Sequence, residues 1–137
     1  MKLILAIALC LLVASTGAVT ASENCLALAV YKEAGNTSQR SQRAVLDVLE
    51  NRMRVLNKSA CQIVRQPFQW SWYSTHLSLI ATNKMLENYY DIVDNEHVLP
   101  DSAMWFHNKT VKPKWARNMV VVDRIDGQIF YRNKHNG

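Results

Sequence analysis

Several chemical signatures are missing from this chain. It contains no Cys-x-x-Cys pair and no His-Glu-x-x-His motif. No two of its histidines, His76, His97, His107 and His135, are four residues apart. A zinc peptidase or amidase site therefore has little support, and no metal or cofactor is expected. No Gly-x-Ser-x-Gly elbow occurs, which argues against a serine hydrolase. Cysteine is scarce, with three in 137 residues. Repeats and low-complexity tracts are absent, and no second long apolar run follows the first. Acidic residues are in the minority, 11 against 16 basic, for a formal charge of +5. That excess suits an anionic surface, although ordinary solubility explains it equally well.

The chain begins "MKLILAIALCLLVASTGAVTA". Lys2, an apolar run from Leu3 to Ala14 and small residues at Val19 and Ala21 read as a secretory signal over residues 1–21. Cleavage is expected after Ala21, with an uncleaved weak membrane anchor or a lipoprotein signal at Cys10 as alternatives. Residues 22–137 then form one domain, long enough for a single core. Cys25 and Cys61 remain as an even pair in an exported chain. They read as one disulfide, or else as two buried thiols.

Ser22 or Asn24 can cap a helix over residues 23–34. Thr37 or Ser38 can cap a second, in which Ala44, Val45, Val48, Leu49, Met53 and Leu56 recur at helical spacing. Arg43, Asp47, Glu50 and Arg54 are expected on its wetter side. Residues 78–93 again show helical spacing. "MWFHN" suggests a short strand, and "MVVVDRIDGQIFYRN" a hairpin turning at Asp126-Gly127. The fold class expected is α+β, a mainly helical body with a C-terminal antiparallel sheet.

Glu33 stands out because it closes an apolar helix just before Gly35. A carboxylate there faces the negative end of the helix dipole. Either it is an ordinary solvated residue, or a carboxyl group that stays protonated is wanted at this point. Partial burial and the helix end would both raise its pKa, as a general acid for glycosidic bond cleavage requires. Phe68, Trp70, Trp72 and Tyr73 would offer flat faces to sugar rings, although aromatics in small proteins are mostly core. His107 beside Asn108 has a faint flavour of a metal-dependent nuclease, but one His-Asn step is not specific.

Three blocks, in order, resemble the SleB/CwlJ-type cell wall hydrolases. The first is "CLALAVYKEAGNTSQRSQRAVLDVLENRM", matching at Tyr31, Glu33, Ala34, Gln42, Ala44, Val45, Val48, Asn51 and Arg52. The second is "QPFQWSW", and the third runs from "AMWFHNKT" through "PKWA" to the closing hairpin. The chain departs from the family pattern at Gly35, Asn36 and Thr37, where Arg-Gly-Glu is usual, so that a basic and a second acidic residue are missing, and at Trp70, where phenylalanine is common. The resemblance implies a lysozyme-like fold and cleavage of the peptidoglycan glycan strand between N-acetylmuramic acid and N-acetylglucosamine. It implies Glu33 as catalytic acid, with lytic transglycosylase chemistry that needs one carboxyl group. Gln69, Ser71 and Trp72 would then line the sugar groove, His107 and Asn108 would bond sugar substituents, and Tyr131 would orient the carboxyl group. Arg52 is expected to be structural, packed on the hairpin or paired with Asp47 or Asp123. The partners expected are peptidoglycan strands, without nucleic acid, and a membrane only through the N-terminal segment. The protein would be a secreted, periplasmic or wall-associated monomer, a phage endolysin being one option. A non-catalytic wall-binding protein of the same fold is the alternative.

Overall fold

The computed structural model describes residues 17–66, 70–74 and 78–135. Four helices, α1 (Ala21–Ala34), α2 (Gln39–Leu56), α3 (Ala60–Val64) and α4 (Asn83–Ile92), precede three strands. The strands are β1 (Trp105–Asn108), β2 (Met119–Ile125) and β3 (Gln128–Asn133). The fold is α+β, as the sequence suggests.

Helix α1 is the axis of the body. Every residue from Cys25 to Val30 is buried, and the helix packs against α2, α3 and α4. A helix that is apolar all round belongs in the middle of a core. Its cap is Thr20, not Ser22 or Asn24. Thr20 Oγ1 accepts from the Glu23 amide at 3.1 Å, and Glu23 returns the bond to the Thr20 amide, also at 3.1 Å. The boundary expected after Ala21 thus passes through this capping box. Asn24 serves tertiary structure instead: its side chain bonds the Leu79 carbonyl and, at 2.7 Å, the Ala81 amide. Cys25 and Cys61 form a disulfide that ties α1 to α3.

Ser38 caps α2 by accepting from the Ser41 amide, and Asn57 ends it in the left-handed region at φ 50°. Ala44, Val45, Val48 and Leu49 are fully buried as expected, whereas Leu56 is exposed. Arg43 and Asp47 are not on a wet side. Each is almost fully buried, and the two are paired at 3.0 Å. Asp47 also accepts from the backbone amides of Val98 and Leu99, at 2.7 and 3.0 Å. Arg43 donates to the Val93 carbonyl at 2.7 Å. This polar knot joins α2, the end of α4 and the chain leading to β1, and a buried pair needs such additional bonds to be tolerated. Periodicity alone cannot reveal it. The fourth helix is shorter than residues 78–93, because Thr82 caps it by accepting from the Met85 amide.

The sheet order is β1-β3-β2, antiparallel throughout, with a bulge between Val121 and Asp123. Asp126 (φ 48°) and Gly127 (φ 83°) form the two-residue turn, both in the left-handed region that such tight hairpins demand. The Asp126 carboxylate accepts from both the amide and the hydroxyl of Ser38, docking the turn onto the start of α2. Phe106 and Phe130, whose rings lie 5.7 Å apart, face the helices. The β1–β2 connection, residues 109–118, crosses the other face, where Trp115 packs on Trp105, His107 and Tyr131.

Candidate active site

Glu33 sits in the last turn of α1, where the helix meets the sheet. Its carbonyl accepts from the side chain of buried Gln128 at the start of β3. Gly35 follows at φ −59°, so it is not there for a left-handed cap. Its role is close approach: a Cβ would lie 2.5 Å from the Tyr31 carbonyl oxygen and 3.0 Å from the Tyr31 ring.

The Glu33 carboxyl group is largely buried at a cleft of about 260 Å³, lined also by Trp70, Ser71, Phe106, His107, Asn108, Val111, Pro113 and Trp115. Burial raises its pKa above the usual carboxyl value, because the charged form loses hydration. A hydrogen bond from Trp72 Nε1 to Oε1, at 2.8 Å, opposes this and fixes the carboxyl orientation. Glu33 is the only carboxyl group among the described residues lining the cleft. Asp47 and Glu50 are held elsewhere, with His97, around the guanidinium of Arg43. That trio could otherwise suggest a cation site, but the arginine already occupies it.

Of the residues expected at the site, Ser71, His107 and Asn108 share the cleft with Glu33. Trp72 lies behind the carboxyl group, bonded to it. Gln69 lies outside the described residues. Tyr131 does not orient Glu33: its hydroxyl bonds His107 Nε2 at 2.7 Å, and the two rings stack at 5.3 Å. As neighbour to Trp105 across β1 and β3, Tyr131 faces away from α1, and Trp72 provides the contact expected of it.

Arg52 is structural, but its partners are not those expected. Asp47 is taken by Arg43, and Asp123 faces Arg40 at 3.5 Å. The Arg52 guanidinium lies between two indoles, 4.7 Å from the Trp105 ring and 5.9 Å from Trp70, and donates to the Gln66 side chain. Burial lowers its pKa to about 10, so it stays charged at neutral pH. The arginine thereby braces Trp70, one wall of the cleft, against β1.

Trp115, Phe106, Val111 and Pro113 complete the cleft without having been assigned roles from the sequence. Trp115, 38% exposed in the structure, carries two signals in the sequence: it is a large aromatic inside the polar connection "KPKWARN", and it falls in the "PKWA" step of the third block. Phe106 and Val111 look like ordinary strand and loop residues.

The Cell Wall Hydrolase family model matches residues 36–131, a span that opens just after Glu33. Two solved structures share the fold. The catalytic domain of the germination-specific lytic transglycosylase SleB from Bacillus anthracis is 19% identical, with a TM-score of 0.69. The match covers 85% of this chain and 98% of that one. The catalytic domain of the Bacillus cereus SleB protein is 18% identical with a TM-score of 0.65, covering 85% and 94%. No curated protein sequence matches the chain significantly. Because the family model accounts for well over half of its residues, the chain belongs to the cell wall hydrolase family.

Proposed function

We propose that this enzyme cleaves the bond between N-acetylmuramic acid and N-acetylglucosamine in peptidoglycan, as a lytic transglycosylase with Glu33 as its single acid and base. The observation that carries this reading is one partly buried carboxyl group in an aromatic cleft, with no second carboxyl group among the described lining residues. Hydrolysis of a glycoside generally uses two. With one, the proton from Glu33 goes to the bridging oxygen as the bond from C1 breaks. The resulting carboxylate then takes the proton of the sugar's own 6-hydroxyl, whose oxygen closes on C1. The product is a 1,6-anhydro end, and Glu33 is reprotonated without water entering the balance.

The supporting residues fit this chemistry. Trp72 holds the carboxyl group at one angle. Ser71 and Asn108 offer hydrogen bonds to sugar substituents, and exposed Trp115 offers a face for a ring, with Trp70 buried in the cleft wall. His107, fixed by Tyr131, presents its imidazole to the same space. The name of the Bacillus anthracis relative, a lytic transglycosylase, supports an anhydro product. The N-terminal segment would export the chain to the wall, where it would work as a monomer without a cofactor. Whether the wall is the producer's own, a spore's or, for an endolysin, a phage host's is a question of wall type. Mass spectrometry of fragments from several purified walls tests the reading: anhydro-muramic ends support it, and pelleting with the wall without any fragments favours the non-catalytic binder.

A further inference from the structure

We propose that a basic groove beside the cleft binds the carboxylates of the peptide substituents carried by the glycan strand, so that peptide-bearing strands are the preferred ligand. This rests on the glycan-cleaving reading and extends the same site.

The groove is a cavity of about 420 Å³ between the outer face of the sheet and the β1–β2 connection. Ile129 lies on its floor, flanked in register by His107 on β1 and Arg124 on β2. Lys109, Lys112 and Arg117 come from the connection. All four cations are exposed, and among the described residues no carboxylate lines the groove. Among the described residues, none of the four lies within ion-pair distance of an acid. Of the acids nearest in the fold, Asp123 faces Arg40, while Asp126 accepts from neutral Ser38 and keeps its charge at an adjoining cavity that it lines with Lys109 and Arg124. Like charges gathered around one concavity repel each other and focus a positive potential there. An anionic ligand relieves that repulsion, and guanidinium groups can grip a carboxylate through two hydrogen bonds.

The position suggests which anion. His107, Val111 and Pro113 line both cavities, so groove and cleft are continuous. A muramic acid residue carries its peptide on the lactyl ether of the ring next to the scissile bond. A strand seated at Glu33 therefore delivers that peptide, with its carboxylates, to an adjoining space. Phosphates of a wall teichoic acid share the charge but are not attached at that point of the strand.

Binding, measured apart from cleavage, tests the proposal. The full chain carrying Glu33→Gln is titrated with soluble muramoyl glycan fragments that keep their peptides. The same fragments, stripped by an amidase and so left with one lactyl carboxylate in place of the peptide's several, serve as the comparison. Peptide-bearing fragments should bind about tenfold more tightly at low salt, the sum of a few exposed charge pairs, and salt should shrink the difference. The pair Arg117→Gln and Arg124→Gln should abolish the difference, whereas Lys84→Gln on α4 should preserve it. Equal affinities overturn the proposal. So does a teichoic acid polymer that outcompetes the peptide-bearing fragments through the same arginines. If Glu33→Gln does not fold, the wild-type kcat/KM ratio on peptide-bearing and stripped glycan carries the same test. A clear binding preference with no cleavage products from the wild type leaves the groove standing and removes the catalytic reading. Cleavage of both substrates with equal binding does the reverse.

Discussion

The indole Nε1 of Trp72 donates to Glu33 Oε1 at 2.8 Å, joining the end of α1 to a segment 39 residues later. The bond favours the ionised carboxylate, while burial favours the protonated form and prevails. Trp72→Phe keeps the ring and removes the donor, so the Glu33 pKa should rise further. A group that acts first as an acid loses activity as pH climbs past its pKa. The alkaline limb of kcat/KM should therefore move to higher pH in Trp72→Phe. A pH–rate profile of both proteins checks this, and a downward shift would contradict the assigned cause.

Glu33→Gln should reverse a cost in stability. The folded-state pKa of Glu33 lies above its unfolded value, so the folded protein holds the proton more tightly between the two. Stability is fully present below the unfolded pKa and falls as pH rises through the folded one. The wild type should thus lose thermal stability relative to Glu33→Gln across that window and stay lower above it. Melting temperatures from pH 4 to 8 measure the effect. Activity should drop in the same variant by at least about 10²–10⁴-fold, the usual worth of a positioned acid.

Asp47 carries the polar knot behind the site. Asp47→Ala leaves the Arg43 guanidinium buried and frees the Val98 and Leu99 amides. Breaking such a pair from one side costs roughly 3–5 kcal/mol. Denaturant titration should show that loss, with the midpoint moving and the slope unchanged. His97 reaches the same carboxylate at 2.8 Å but is itself exposed, so His97→Ala should cost far less.

The Cys25–Cys61 disulfide closes a loop of 36 residues. Chain-entropy arguments give about 4 kcal/mol for a loop of that length. Reduction should lower the melting temperature by roughly 15 °C for a domain of this size. Scanning calorimetry with and without reductant measures it, and an unchanged transition would show that the helices hold together without the bridge.

Much of this architecture is legible in the residues. The Asp126-Gly127 turn, the short β1 strand and the buried face of α2 follow from turn chemistry and period. The pairing of Cys25 with Cys61 follows from parity once residues 1–21, with Cys10, are read as an export signal. Glu33 is conspicuous because it stands in a helix's last turn beside a glycine. What stays hidden is whatever depends on long-range placement. Arg43 and Asp47 read as surface charges because their partners, the backbone at 93–99, lie far along the chain. Arg52 gives no hint that two indoles will enclose it. Tyr131 falls on the outer face of the sheet, so the contact with Glu33 passes to Trp72. Trp115 belongs to the cleft only because residues 109–118 cross that outer face.

The central claim is that one carboxyl group does both proton transfers. The most direct measurement is mass spectrometry of fragments released from purified peptidoglycan by the full chain and by Glu33→Gln. The account predicts 1,6-anhydro-muramic ends from the wild type and none from the variant. Reducing ends, or anhydro ends that persist in Glu33→Gln, would contradict it.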